Sequence, residues 1–309
     1  MPLLSSQQIS DISTRIFVAA GATEANGRTV GDHLADANMT GHDSHGFIRV
    51  PQYIEDIRTG VRKPDAEPEI VAESGGLLRV DGHHSFGQVV ARFATQAAIE
   101  KAKVHGISLA TMSSLGHVGR IGSYAEMAAR NGMAAIMFTG LLGEGSTIVP
   151  PYGGAARRFS TNPVSIGFPY MDENPVLLDF ATSIGAEGKL RVYRARGHDL
   201  PDEWVIDPEG NPSRAPNDFY AGGAILPLGG TQVGHKGYAL AFMAAVLGGL
   251  VGEYGKPDPT GEAYSSGSTI IVIDIDRLVP SGGIRGGGGR LGGFGMGPDP
   301  ASKACGRDS

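Results

Sequence analysis

The stretch LLRVDGHHSFGQVVARFATQAAIEKAKVHGISLAT, residues 77–111, decides the fold class of this chain. Leu77–Asp81 has the apolar and β-branched residues of a strand. Gly87–His105 carries apolar side chains at helical spacing, and Gly106 marks the end of that helix. Ile107–Thr111 then predicts a second strand. A strand, a helix and a strand in direct succession are typical of an α/β fold.

The segments on either side of this stretch extend the pattern. Upstream, apolar residues at helical spacing predict three helices, from Ser5 to Gly21, over Thr23–Met39 and over Ile48–Ile57. The other predicted elements are strands at Glu69–Ala72, Met133–Thr139, Val164–Phe168, Val176–Phe180 and Thr269–Ile275, a helix at Tyr124–Asn131, and a buried core helix at Gly237–Val251. The sequence therefore predicts a mixed α/β core at residues 73–280 behind a helical region at residues 1–72. Residues 281–309 hold 11 of the 48 glycines and predict a low-complexity tail.

Composition and charge exclude several classes of protein. The chain has 309 residues, and its 26 basic and 32 acidic side chains give a net charge of −6. That charge provides no electrostatic footprint for nucleic acid or for an anionic membrane. Cys305 is the single cysteine, so neither an internal disulfide nor a cysteine-based zinc cluster can form. Because no charged-then-apolar segment opens the chain, we expect a cytoplasmic protein without a signal peptide. From the charge, we expect neither a membrane nor a nucleic acid as a partner.

The first candidate site lies in Asp43–Tyr53, around the start of the third predicted helix. Arg49 and Tyr53 are four residues apart and would share one helix face. A guanidinium can hold a carboxylate through two parallel hydrogen bonds, and His45 can exchange a proton near neutral pH. Interconversion of a 2-hydroxy acid and a 2-keto acid needs such a clamp beside a proton donor. The alternative is a surface Arg–Tyr pair next to a helix cap at Ser44 and His45.

Three further clusters lie at the ends of predicted elements. Ser113–Tyr124 joins a strand to a helix, and its glycines allow the backbone to approach a ligand near His117. Asp179 closes an apolar strand, where a carboxylate can accept hydrogen bonds from ribose hydroxyls. His235 and Lys236 open the long apolar helix, where a lysine can meet a cofactor phosphate or a substrate anion. The alternatives are an ordinary turn, a helix cap and a solvated helix end.

Other motifs carry weaker signals. Ala181-Thr182-Ser183-Ile184-Gly185 is a degenerate nucleophile elbow, for which a helix beginning at Ser183 is the alternative. The histidines His42, His45, His83 and His84 do not have the spacing of a metal site, so we expect no metal. The glycine-rich run at residues 287–292 matches a dinucleotide fingerprint in letters only, because no strand precedes it and no helix follows it.

In their order along the chain, these clusters resemble the malate/L-lactate dehydrogenase family, which is unrelated to the Rossmann-type dehydrogenases. Its members include ureidoglycolate, sulfolactate and 2,3-diketogulonate enzymes and reductases of cyclic imino acids. The resemblance runs from residue 5 to residue 278. It is carried by Ser44-His45-Gly46 with Arg49, Pro51 and Tyr53, by Gly116-His117, Pro151-Tyr152-Gly153-Gly154, Thr161-Asn162-Pro163 and Asp179-Phe180-Ala181-Thr182-Ser183, by Gly197 with Pro201, Trp204 and Asp207, and by Lys236-Gly237.

The resemblance implies a fold, a reaction and a set of site residues. The implied fold is a mixed, largely antiparallel sheet that binds NAD or NADP without a Rossmann fold, in a homodimer whose active site lies near the subunit interface. The implied reaction passes a hydride between the nicotinamide and a small carboxylate substrate, a 2-hydroxy or 2-keto acid. His45 with Ser44, or else His117, would move the proton. The implied substrate ligands are Arg49, Tyr53 and Thr161, and the implied cofactor lining is His117, Val118, Gly119, Arg120, Ile121, Asp179, Phe180, Ala181, His235 and Lys236.

Three stretches depart from the family pattern. Residues 140–146 replace its usual Thr-Asn-Ser-type turn, Ser160 stands where glycine is usual, and no Pro-Gly-Glu-type cofactor loop follows Leu278. These departures leave an inactive, truncated member of the family as an alternative to an active dehydrogenase. Reduction of a cyclic imino acid is a second alternative, and a serine hydrolase built on Ser183 is a third.

Overall fold

A computed structural model describes residues 4–141, 147–170, 175–250 and 266–278 of the chain. Within these ranges the helices are α1 (Ser6–Ala19), α2 (Glu24–Met39), α3 (Val50–Arg58), α4 (Gly87–His105), α5 (Gly122–Arg130), α6 (Glu187–Arg196), α7 (Pro216–Tyr220) and α8 (Gly230–Ala244). The strands are β1 (Glu69–Ser74), β2 (Leu77–Ser85), β3 (Ile107–Leu115), β4 (Met133–Gly140), β5 (Val164–Phe168), β6 (Val176–Phe180), β7 (Val205–Ile206), β8 (Pro212–Ser213), β9 (Ala224–Ile225) and β10 (Ser266–Asp274). A π-helical segment at Ala245–Leu250 continues α8, and shorter turns of 3₁₀ helix lie at Asp43–His45, Phe47–Arg49 and Ile275–Arg277.

The central element is a seven-stranded sheet with the order β1-β2-β3-β10-β4-β5-β6. Helix α4 crosses from the end of β2 to the start of β3, so these two strands run parallel, with Leu78 beside Ala110. The other five neighbouring pairs are antiparallel. The prediction of a mixed, largely antiparallel α/β sheet is therefore confirmed. A separate three-stranded sheet has the order β8-β7-β9.

The main core lies between this sheet and helices α4 and α5. It includes Val90, Ala94 and Ile99 from α4 and Met112 from β3, all fully buried. Burying a side chain of valine or isoleucine size contributes about 1.5–3 kcal/mol, so this layer accounts for much of the stability. Gly106 ends α4 with φ of +84°, a conformation that glycine adopts without strain.

The N-terminal helices form a second core with the start of α4. A capping box between Ser5 and Gln8 begins α1, which then packs along α2. Phe17, Tyr53 and Phe86 are buried together, and Phe86 lies just before α4. Strand β1 spans the boundary expected at residues 72–73, and that division of the chain stays a prediction.

The structure differs from two of the predicted elements. Helix α6 begins at Glu187, not at Ser183, because the Ser183 backbone forms a bridge with Pro227 and its hydroxyl donates to the Gly185 carbonyl. The predicted buried helix at Gly237–Val251 is also wrong in part, because α8 starts earlier and keeps one face exposed. Phe242 and Met243 on that face are 46% and 48% exposed.

Some expectations concern residues that the structure does not describe, including Val251, most of the turn at residues 140–146 and the tail at residues 281–309. In the ranges that it does describe, no helix has both the length and the apolar character needed to cross a bilayer.

Candidate functional site

The loop between α2 and α3 carries the first group of site residues. Asn38, near the end of α2, fixes this loop by accepting a hydrogen bond from the Phe47 amide at 2.8 Å and donating to Asp43 at 2.6 Å. A Cβ atom at Gly46 would overlap the Asn38 side chain and displace it from the hydrogen bonds that fix the loop. The loop is thereby held in a shape that presents Ser44, His45 and Arg49 together.

Arg49 lies just before α3 rather than inside it, and its guanidinium is oriented by two hydrogen bonds. Nε donates to the Ser44 carbonyl at 2.6 Å, and Nη1 donates to Gln52 Oε1 at 2.8 Å. A guanidinium has five N–H bonds, so three remain for a ligand. Ser44 Oγ lies 3.0 Å from His45 Nδ1, so the expected group of Ser44, His45 and Arg49 is assembled.

The loop after β3 brings His117 to the same place. The rings of His45 and His117 stack with their centroids 5.4 Å apart and their planes 19° apart. Behind His117, its Nδ1 lies 2.7 Å from the Tyr53 hydroxyl oxygen, which accepts a hydrogen bond from Gln88 Nε2 at 2.8 Å. Tyr53 is fully buried, and its hydroxyl contacts His117.

Burial and neighbouring cations keep both imidazoles neutral. Burial, reinforced by the Arg49 charge, lowers the pKa of His45 to about 3. The pKa of His117 is also lowered well below its usual value, first by burial and then by its neighbours His45, Arg49 and Arg62. Burial raises the pKa of the Tyr53 hydroxyl, so the phenol keeps its proton. At neutral pH the site therefore holds two uncharged imidazoles beside a fixed cation.

Sequence reasoning missed two residues that support this arrangement. Arg62 is buried with its guanidinium 5.2 Å from the centre of the Tyr53 ring, and a Cβ atom at Gly116 would overlap it. Gln88 is buried in the first turn of α4. The one signal that could have identified Gln88 is a polar residue directly before the two apolar residues Val89 and Val90. No local pattern distinguishes Arg62.

Among the expected cofactor residues, Asp179 and the loop before α5 lie together. Asp179 Oδ2 accepts a hydrogen bond from the Gly122 amide at 3.0 Å, at the N-terminus of α5, while burial raises the pKa of this carboxyl. Val118, Arg120 and Ile121 are buried in the protein as whole residues.

Arg120 is held by ion pairs with Asp36 at 2.9 Å and Glu126 at 3.0 Å, so its charge is already compensated. Gly119 has φ of +72°, and a Cβ atom there would overlap His33. The glycine therefore allows the loop to pass close to α2, where His33 Nε2 accepts a hydrogen bond from the Arg120 amide at 2.9 Å.

The remaining expected residues are spread over the neighbouring loops. Thr161, Phe180 and Ala181 are half-buried, and the Thr161 carbonyl accepts a hydrogen bond from the Thr182 amide at 2.9 Å. His235 and Lys236 are exposed in α8, where the His235 ring lies 5.6 Å from that of Tyr152.

The serine motif has no arrangement for nucleophilic attack. Ser183 is 4% exposed, and its hydroxyl donates to the Gly185 carbonyl at 2.8 Å. A serine nucleophile needs an adjacent base in place of such a backbone acceptor. In the described ranges, no group of three or more histidine, cysteine or acidic side chains is arranged to hold a metal ion.

Comparisons with known proteins agree on one family. The family model described as malate/L-lactate dehydrogenase matches residues 4–287. The chain is 35% identical over 273 residues to a malate dehydrogenase of Pyrococcus horikoshii, covering 86% of this chain and 74% of that protein. It is 30% identical over 282 residues to a Δ1-pyrroline-2-carboxylate/Δ1-piperideine-2-carboxylate reductase of Pseudomonas syringae pv. tomato, covering 89% and 80%. The solved structure of Δ1-piperideine-2-carboxylate reductase from that organism superimposes with a TM-score of 0.83 at 28% identity, covering 97% of this chain and 91% of that one.

Proposed function

The chain belongs to the malate/L-lactate dehydrogenase family and is therefore an oxidoreductase acting on CH–OH groups, and we propose its substrates and its hydride carrier. The proposed substrates are small 2-hydroxy and 2-keto acids, and the proposed hydride carrier is NAD or NADP. One observation carries this proposal: Arg49, with three uncommitted N–H bonds, is fixed beside the stacked pair of His45 and His117. A carboxylate held at Arg49 places the adjacent C2 oxygen within the region of the two imidazoles.

The residues on the cofactor side fit a nicotinamide dinucleotide. Asp179 engages the Gly122 amide through Oδ2, so Oδ1 can accept hydrogen bonds from ribose hydroxyls. Exposed Lys236 offers positive charge to a pyrophosphate, and exposed His235 offers a ring nitrogen for a hydrogen bond. The sheet has a single parallel pair of strands, which supports binding without a Rossmann loop. When bound, NAD or NADP donates or accepts the hydride at its nicotinamide ring.

The side chains of this chain orient the substrate and move a proton. Arg49 binds the carboxylate and thereby fixes the position of C2. In the oxidation of a hydroxy acid, a neutral imidazole of His45 or His117 accepts the hydroxyl proton, and in reduction the proton returns to the C2 oxygen. Since the bound carboxylate is negative, it favours the protonated imidazole that oxidation forms.

A panel of substrates tests the proposal. Purified protein is supplied with 2-hydroxy acids and NAD or NADP, and with 2-keto acids and each reduced nucleotide, while absorbance of the reduced nicotinamide is followed. We expect turnover of at least one acid pair with one nucleotide. An inactive family member would instead show no turnover and no NADH or NADPH binding in a fluorescence titration.

Reduction of a cyclic imino acid is a second candidate, favoured by the extent of the match to Δ1-piperideine-2-carboxylate reductase, which covers 97% of this chain. The same Arg49 would hold the ring carboxylate, and the proton would pass to the imine nitrogen instead of an oxygen. Including Δ1-piperideine-2-carboxylate in the panel separates the two candidates by the ratio of their kcat/KM values.

We further propose that the protein is a homodimer. The exposed apolar side chains of Val233, Phe242 and Met243 in α8 support this, because exposed apolar surface marks sites of protein–protein contact. Light scattering coupled to size-exclusion chromatography gives the mass directly, and a monomer at micromolar concentration would contradict the proposal.

A further inference from the structure

A chain of three buried polar side chains lies behind His117. Tyr53 and Gln88 are connected to it through the two hydrogen bonds of 2.7 Å and 2.8 Å, and Arg62 packs against the Tyr53 ring. None of the three belongs to the main core between the sheet and helices α4 and α5, although the Tyr53 ring is part of the second core. Their shared feature is contact with His117 or with the groups that support it.

The directions of these hydrogen bonds fix where the hydrogen of His117 resides. The amide of Gln88 donates to the Tyr53 oxygen through Nε2. A phenol has one hydrogen, which Tyr53 can then direct only to its other neighbour, His117 Nδ1. An imidazole nitrogen that accepts a hydrogen bond carries no hydrogen, so the hydrogen of neutral His117 lies on Nε2.

The orientation of the Gln88 amide is consistent with its surroundings. Its Oε1 is buried without a hydrogen-bond partner in the described part of the chain. The reversed amide would bury an unpaired NH₂ group in that position, and unpaired buried N–H groups are rarer in proteins than unpaired carbonyl oxygens. The observed orientation is therefore the less costly of the two.

Arg62 fixes the other side of the phenol. Its guanidinium donates to Asp56 Oδ2 at 2.7 Å and to the Ser85 carbonyl at 3.2 Å, which anchors the cation behind the Tyr53 ring. The close packing of Gly116 on this guanidinium ties the backbone before His117 to the same point. A buried positive charge near a phenol polarises its O–H bond. The Tyr53 hydroxyl is therefore a stronger hydrogen-bond donor to His117.

We propose that Gln88 is a positioning residue that, through Tyr53, fixes His117 as the Nε2–H tautomer, with a hydrogen-bond donor facing the C2 oxygen of the substrate. The catalytic consequence rests on the proposed function, whereas the tautomer is a property of the free protein. A carbonyl oxygen only accepts hydrogen bonds, so this tautomer complements a 2-keto acid and polarises its carbonyl group.

The substitution Gln88→Glu tests the direction of the network. Once ionised, a glutamate accepts but does not donate; because burial raises its pKa, the spectra are recorded up to alkaline pH, where the Tyr53 hydroxyl would turn to Glu and accept from His117 Nδ1–H. The expected result is a reversal of the tautomer. Gln96→Glu is the matched control, because it makes the same chemical change at an exposed position of α4.

The tautomer is measured by ¹H–¹⁵N NMR of the full chain with labelled histidines, with His117 assigned from the spectrum of His117→Gln. We expect a protonated Nε2 and an unprotonated Nδ1 in the wild type and in Gln96→Glu, and the opposite pattern in Gln88→Glu. A wild type protonated at Nδ1, or an unchanged pattern in Gln88→Glu, overturns the proposal. If Gln88→Glu does not fold, the wild-type spectrum and that of Gln88→Leu, in which we expect loss of the pure Nε2–H form, decide the question.

Kinetics provide an independent measurement. General acid–base groups contribute about 10²–10⁴-fold to rates, so we expect Gln88→Glu to lower kcat for keto-acid reduction by about 10²-fold, with little change in KM. Because the equilibrium constant of the reaction fixes the ratio of the forward and reverse kcat/KM values, oxidation falls by the same factor, and an unchanged kcat in Gln88→Glu overturns the inference. If no substrate is turned over but the NMR pattern is as expected, the proposed function fails and the positioning role stands.

Discussion

Removing the guanidinium of Arg49 tests the carboxylate clamp. The structure shows that Arg49 is oriented before any substrate arrives, because the Ser44 carbonyl and Gln52 take two of its five N–H bonds. Truncating one partner of a buried charge pair costs about 2–5 kcal/mol, and each 1.4 kcal/mol is about tenfold. Arg49→Ala should therefore lower kcat/KM for a 2-keto acid by about 30-fold to several thousand-fold.

The assay compares the carboxylate substrate with its neutral carboxamide analogue. Arg49→Ala should affect the carboxylate strongly and the carboxamide little, since the amide carries no charge for the guanidinium to hold. Gln52→Ala is the matched control: it removes one support at 2.8 Å but keeps the charge, for a loss of about 0.5–1.5 kcal/mol. Equal losses for both substrates, or an unchanged kcat/KM for the carboxylate, would refute the clamp.

Other predictions concern protonation, the cofactor and the serine motif. Burial lowers the pKa of His33 to about 4, so the unfolded chain binds more protons between pH 6.5 and 4. The free energy of unfolding, measured in urea, should fall as the pH drops through that window, less steeply in His33→Gln than in the exposed-site control His83→Gln; equal slopes would contradict this. Asp179→Asn keeps an acceptor for the Gly122 amide but should weaken NADH binding about 10-fold or more in a fluorescence titration, and unchanged affinity would remove Asp179 from the cofactor site. Ser183→Ala should retain full dehydrogenase activity, and labelling of Ser183 by a fluorophosphonate would instead support a hydrolase.

Local pattern was sufficient for most of the fold. The predicted strands Val164–Phe168 and Val176–Phe180 match the observed bounds, because short apolar runs between turns leave little choice of conformation. The pattern was insufficient where burial depends on what packs nearby. The apolar composition of this segment predicted a buried helix, yet Phe242 and Met243 stay about half exposed, even though the Phe242 ring contacts that of Phe159.

For the candidate site too, contacts between residues close in sequence were predictable and contacts between distant residues were not. His45 and Arg49 are close in sequence, so their proximity followed from the predicted helix start. The contact of Tyr53 with His117 joins residues 64 positions apart, and only the folded sheet brings them together. Val118, Arg120 and Ile121 illustrate the opposite problem, because a resemblance assigned them to the cofactor lining without describing the packing that buries them.

The electrostatics of the site suggest why its imidazoles stand beside cations. A histidine paired with a carboxylate is readily protonated, whereas His117 is surrounded by the positive charges of Arg49 and Arg62 and remains neutral. The charge of Arg62 is permanent, because Asp56 and the Ser85 carbonyl anchor it inside the protein. The charge of Arg49 is available to a ligand. A substrate carboxylate that neutralises Arg49 therefore removes one source of repulsion and raises the proton affinity of both imidazoles only while the substrate is bound. Proton transfer is thus coupled to correct placement of the carboxylate, which neutral analogues of the substrate cannot provide.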